Sequence, residues 1–105
     1  MKRIVLFASG SGTNAENIIK YFNSTQTAKV VKVLCNNKNA FIFERCKKLK
    51  IDCLLFNKND FYSSENILSF LKKEADFIIL AGFLWKIPEK LISEFPYRII
   101  NIHPA

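Results

Sequence analysis

The only histidine of the chain, His103, stands two residues after Asn101 and directly before Pro104, in the closing stretch Ile100-Asn101-Ile102-His103-Pro104-Ala105. Residues two apart on an extended strand point to the same side. Pro104 disfavours helical angles at His103 and so prolongs that geometry. An amide and an imidazole aimed at one point can hold a developing oxyanion and move a proton. The bland alternative is a strand-end histidine bonded locally. A second reactive stretch is Ser9-Gly10-Ser11-Gly12-Thr13-Asn14. Glycines there permit close backbone approach, and free N–H groups at a helix start attract an anion. The alternative is a plain strand-to-helix turn capped by Ser, Thr or Asn.

Gly10-x-Gly12-x-x-Ala15 also fits the relaxed dinucleotide pattern, but that site wants an acidic residue about 20 positions on. Cys35-Asn36-Asn37-Lys38 stands there instead, without a carboxylate. The loop therefore suits one phosphate better than a pyrophosphate with its ribose. A third stretch, Ala81-Gly82-Phe83-Leu84-Trp85-Lys86-Ile87, carries large apolar side chains where polar ones are expected. Either it covers the core from above or it forms a slot for a flat ring.

These stretches need elements to position them. Continuous apolar runs at Arg3–Ala8, Val30–Cys35, Cys53–Phe56, Phe77–Leu80 and Arg98–Ile102 predict five buried strands. Helical spacing is found in Asn14–Phe22 (Ile18, Ile19, Phe22), in Phe41–Leu49 (Phe41, Cys46, Leu49 inward) and after Ser63-Ser64 through about Lys73 (Ile67, Leu68, Leu71). Pro88 suits the first turn of a short helix, Glu89–Phe95. Strands alternating with helices imply an α/β fold with a doubly wound, mostly parallel, Rossmann-like sheet and helices on both faces. Ligands bind such sheets beyond the carboxyl ends of the strands. That edge gathers Ser9–Asn14, Cys35–Lys38, Ala81–Ile87 and Asn101–Ala105.

Composition narrows the partners. The chain of 105 residues suits a single domain, and its charge of +7 favours anionic partners. The lysines are scattered rather than gathered, apart from Lys47-Lys48-Leu49-Lys50, which argues against nucleic acid and fits either a solvated basic face or an anionic small substrate. No apolar run reaches membrane-spanning length and the amino terminus does not read as a signal peptide, so no membrane partner and a cytoplasmic location are expected. Cys35, Cys46 and Cys53 lack metal-ligand spacing and read as reduced, packed thiols; no metal is expected.

Taken together, FASGSGTN, NNKNAFIFERCKK, ILAGFLWKIP and INIHPA closely resemble the phosphoribosylglycinamide formyltransferases, folate-dependent enzymes of purine biosynthesis. The resemblance implies formyl transfer from 10-formyltetrahydrofolate, a cosubstrate, to the primary amine of 5′-phosphoribosylglycinamide. It implies that Gly12, Thr13 and Asn14 cradle the substrate phosphate, and that Leu84, Trp85, Lys86 and Ile87, with Asn101, meet the folate. Asn101 and His103 would be the catalytic pair. The terminal N-x-H-P motif is shared with other 10-formyltetrahydrofolate enzymes, methionyl-tRNA formyltransferase among them; the glycine loop favours the glycinamide substrate. A phosphate- or nucleotide-binding module without catalysis is the non-enzyme alternative.

Two departures stand out. An arginine that contacts folate in the family falls at Ser64, for which a lysine such as Lys58 could substitute. The family is also longer: the chain matches its amino-terminal portion, residues 1–105, without the carboxyl-terminal half that brings an aspartate to pair with the histidine. The chain alone is therefore expected to be inactive. Its oligomeric state is not legible in the sequence.

Overall fold

A computed structural model describes residues 1–102; His103, Pro104 and Ala105 lie outside the described residues. The strands are β1 (Lys2–Ala8), β2 (Ala28–Cys35), β3 (Cys53–Leu55), β4 (Phe77–Ala81) and β5 (Ile99–Ile102). Four α-helices join them: α1 (Thr13–Thr25), α2 (Ile42–Leu49), α3 (Asn66–Glu74) and α4 (Glu89–Glu94). The strands form one sheet in the order β3-β2-β1-β4-β5, with every neighbouring pair parallel. The chain winds outward one way through β2 and β3, then returns to lay β4 on the other side of β1. The strand order thus reverses beside β1, and the doubly wound sheet read from the sequence is the one observed.

The strand runs are apolar without alternation because both faces are covered. On one face Ile4, Leu6 and Ala8 of β1 pack with Ile79 and Ala81 of β4 under Ala15 and Ile19 of α1 and Ile42 and Cys46 of α2. On the other, Val5, Phe7, Ile78 and Leu80 pack under Leu71 of α3 and Leu91 of α4. A register shift between Ile4 and Val5 gives β2 one extra residue, since Ile4 pairs with Val30 but Val5 with Lys32. The bulge changes the parity of β2, so Val30 and Val33, three apart, reach the same face.

One local reading needs correction. Phe41, expected inward, is 52% exposed, because it precedes the first turn of α2 and stacks beneath Arg45 at 5.0 Å instead. The third helix begins at Asn66, soon after Ser63-Ser64 as expected, and a one-turn π-helix, Asn59–Ser63, precedes it. Reciprocal bonds start that turn: the Asp60 N–H donates to Asn57 Oδ1 (2.9 Å) and the Asn57 N–H to Asp60 Oδ2 (3.1 Å).

Candidate active site

Separate concavities lie along the sheet, and one residue ties together the loops at its carboxyl edge. Ser9, 5% exposed, directly follows β1. Its Oγ accepts the Leu84 N–H (3.0 Å), and its carbonyl accepts Asn37 Nδ2 (3.4 Å). The glycine loop, the β2 loop and the β4 loop are thus pinned at a single residue. Nothing in the sequence beyond a serine after a strand signals that role.

The first concavity lies at the point where the strand order reverses. About 330 Å³ in volume, it is lined by Gly10, Ser11, Gly12, Thr13, Asn14, Ala81 and Gly82. Gly12 is the N-cap of α1, with a left-handed φ of 82° and no side-chain cap. The first intrahelical bond is Glu16 N–H to the Gly12 carbonyl at 2.8 Å, so the preceding amides of the first turn are free of helical partners. Free amides and the positive end of the helix dipole face one small cavity, which is the arrangement that holds an anion. Arg45 braces the loop from α2: its Nε donates to the Ser11 carbonyl (2.6 Å) and its Nη1 to Glu16 (3.3 Å). Lys20 and Arg45 hold the Glu16 carboxyl below its ordinary pKa, so it stays ionised and the brace stays charged.

Gly12 has a second reason to be glycine. A Cβ there would lie 2.3 Å from Cδ1 of Ile42 on α2. Gly10 meets nothing within 4 Å. The close approach inferred from the sequence is real at Gly12, but it is first an approach to a core side chain.

The second concavity, about 290 Å³, is apolar and flanks β5: Leu80, Ile87, Ile92, Phe95, Pro96, Tyr97 and Ile99 line it. Of the residues assigned to folate from the sequence, only Ile87 belongs to this slot. Its other walls come from β4, α4 and β5, dispersed positions that no local motif marks. Asn101 is exposed on β5 and paired in register with Leu80. Its place in the strand, two beyond Ile99, turns it to the slot's side of the sheet.

The Ala81–Ile87 loop divides its side chains. Gly82 turns it with a φ of 71°. Leu84 is 83% exposed at the crest and Lys86 is exposed too, its carbonyl accepting the Tyr62 hydroxyl at 2.6 Å. Phe83 and Trp85 turn inward onto Phe56 and Phe61, with Phe7 beneath Phe83. Phe83 and Trp85 therefore cover the core, one of the two sequence readings, while Leu84 and Lys86 face solvent. Ser64 binds locally, donating to the Asp60 carbonyl and accepting the Asn66 N–H, each at 3.2 Å. Lys58 Nζ lies 5.6 Å from the centre of the Trp85 ring. Among the described residues no group of three or more His, Cys, Asp or Glu could hold a metal, and no helix is long and apolar enough to cross a membrane.

A sequence model described as Formyl transferase matches residues 2–105. The chain is 34% identical to the chloroplastic phosphoribosylglycinamide formyltransferase of Arabidopsis thaliana over 111 aligned positions, covering 99% of this chain and 38% of that protein. It is 32% identical to the phosphoribosylglycinamide formyltransferase of Haemophilus influenzae, covering 100% of this chain and 52% of the relative. Among solved structures, glycinamide ribonucleotide transformylase 1 of Symbiobacterium toebii superposes with a TM-score of 0.87 at 28% identity, over 99% of this chain and 52% of that one. The Geobacillus kaustophilus protein of the same name gives 0.85 at 34% identity, over 100% and 59%. The chain thus spans about half the length of most of these relatives, and less of the plant protein.

Proposed function

The chain belongs to the formyl transferase family, and on that premise we propose that it carries the phosphate cradle and part of the catalytic apparatus for formylating 5′-phosphoribosylglycinamide from 10-formyltetrahydrofolate. The observation that carries this reading is the uncapped start of α1 opening on the cavity between Gly10–Asn14 and Ala81–Gly82. Gly12, Thr13 and Asn14 supply the amides and polar side chains at this helix start, where a 5′-phosphate is best held. Methionyl-tRNA, the other acceptor considered, has no comparable use for a built single-phosphate pocket.

The apolar slot beside β5 suits the flat pterin of the donor, with Ile87 on one wall and Leu80, Phe95 and Ile99 on the others. The substrate amine attacks the formyl carbon to give a tetrahedral intermediate. The carbon–nitrogen bond to the folate then breaks, and the amine's proton ends on the departing nitrogen. Asn101 donates to the oxygen as it gains charge. One such donor is typically worth ~10²–10³ in rate. His103, two residues on, is the proton-transferring partner in this reading. No step calls for a metal. The scattered basic charge of +7 steers the anionic substrates toward the site without a nucleic-acid groove.

Isotope-edited NMR tests the cradle: phosphoribosylglycinamide should move the amide resonances of Ser11 to Asn14, and the dephosphorylated compound should not. Shifts that ignore the phosphate would overturn the assignment. In the formyl-transfer assay of the intact gene product, Asn101→Ala and His103→Ala should each cost ~10²-fold or more. Unchanged turnover in either variant removes that residue from the catalytic pair.

A further inference from the structure

Helix α2 meets the glycine loop at two positions about one turn apart. Ile42 lies beneath Gly12, and Arg45, three residues on, holds the Ser11 carbonyl from the same face. We propose that Arg45 and Glu16 are positioning residues for the phosphate cradle, locking the Ser11–Gly12 peptide so that its N–H faces the cavity. This role rests on the cradle reading above and supplies what orients its binding amide.

A trans peptide is planar, so its carbonyl and its N–H point to opposite sides. No described peptide bond is cis. With the Ser11 carbonyl drawn toward α2 at 2.6 Å, the Gly12 N–H points away from α2. That is the side of β4, where Ala81 and the following Gly82 complete the cavity wall. Among the described residues nothing accepts the Gly12 N–H, so it is left for a ligand.

The glycine leaves two orientations of that peptide open. Turning the plane over changes only Ser11 ψ and Gly12 φ, and glycine accepts either sign of φ. Gly12 sits at a φ of 82°. In the inverted form the Ser11 carbonyl, with its partial negative charge, would face the bound anion. The residue that must be glycine to lie against Ile42 is therefore free to present the wrong pole, and a second group has to choose.

Arg45 is fitted to that choice. Its planar guanidinium is held on three sides: Nε on the Ser11 carbonyl, Nη1 on Glu16 Oε1 at 3.3 Å, and the Phe41 ring centre 5.0 Å from Cζ. Glu16 belongs to the first turn of α1, and Lys20 Nζ donates to its other oxygen at 3.2 Å. An acid so near the cradle opposes an anion by charge alone. Its use there is to anchor the guanidinium. Charge and position therefore predict opposite effects of removing it.

The test titrates phosphoribosylglycinamide into the isotope-labelled chain of 105 residues and follows the Thr13 amide. Arg45→Gln should weaken the midpoint about ten-fold, as when the competent peptide orientation falls to about a tenth of the population. Glu16→Gln should weaken it about three-fold, although it removes a negative charge. In the ligand-free chain the residual dipolar coupling of the Gly12 N–H should change in both variants. Couplings in the centre of β1 should stay as in the parent, which also reports that the fold is intact. Glu16→Gln, at a partly exposed position on α1, carries the test if Arg45→Gln does not fold. Unchanged or tighter binding in Glu16→Gln, or an unmoved Gly12 coupling, overturns the proposal. A parent chain that ignores the phosphate removes the cradle and this role together; a responsive parent with unaffected variants removes the brace alone.

Discussion

The glycine loop and the slot beside β5 are built in opposite ways. The loop is complete within a short stretch: Arg45 holds it from α2, Ser9 anchors its start, and Gly12 seats it on Ile42. The slot is open and apolar on an outer strand, with Ile92 half exposed and Tyr97 fully so. An anion can be held by local backbone, because helix-end amides need no distant help. An apolar ring has to be enclosed, and enclosure draws on several elements. The first kind of site is concentrated in a motif and the second is spread through the fold.

The sharpest way to break this contrast is at Gly12. Gly12→Ala places a methyl against Ile42 and forces a left-handed angle on an L-residue, at a combined cost of about 2–5 kcal/mol. Thermal denaturation should show a large loss, and Ile42→Ala should cost less in that background than in the parent, because it removes the clash. Gly10→Ala, in open space, should stay within about 0.5 kcal/mol. Equal effects at the two glycines would mean that the loop is not seated on α2 at all.

Next in size is Ser9→Ala, which strands the Leu84 N–H and should cost about 1–3 kcal/mol. Hydrogen exchange at the Leu84 amide should accelerate while exchange in the centre of β1 follows global stability alone.

Tyr97 gives the opposite sign. It is fully exposed with a φ of 60°, a conformation costly for a bulky residue, and it lines the apolar slot. Tyr97→Gly should raise stability by about 0.5–1 kcal/mol while weakening binding of the formyl donor. A gain in stability with donor affinity intact would remove Tyr97 from the slot's working walls.

The smallest effect lies at the far edge of the sheet, away from both regions. Asp76 accepts Arg3 N–H at 2.8 Å and Nε at 3.3 Å, and the hydrogen bonds and charge of Arg3 hold its carboxyl below the usual aspartate range. Because the folded pKa is depressed, this contribution is present above the unfolded value and is lost as pH falls through the folded one. Asp76→Asn should flatten that acid limb in urea titrations and leave phosphate binding at neutral pH unchanged.

Much of this architecture could be read from the chain itself. Strands buried on both faces betray themselves as unbroken apolar runs, and the alternation of such runs with Ile18-Ile19-Phe22 and Ile67-Leu68-Leu71 spacings implied the doubly wound sheet. The glycine loop was legible because its geometry is local. The π-turn at Asn59–Ser63 was not, since it depends on Asn57 and Asp60 capping each other. The extra residue of β2 was equally hidden, because a bulge is a property of a strand pair. Leu80, Ile92, Phe95 and Ile99 form one slot only after β4, α4 and β5 are laid side by side. Of the two residues proposed as the catalytic pair, Asn101 lies on β5 and His103 lies outside the described residues.

Ser9 has a consequence for the order in which ligands arrive. Its hydroxyl is bonded to the loop that carries Trp85 and Ile87, and its carbonyl to the loop that carries Asn36 and Lys38. A molecule that immobilises one of these loops prepays part of the entropy needed to immobilise the next. Occupancy of the cradle should then strengthen occupancy of its neighbours, and thermodynamic reciprocity requires the reverse effect to be of equal size. Through its hydroxyl and its carbonyl, one buried serine links the loops that wall neighbouring concavities.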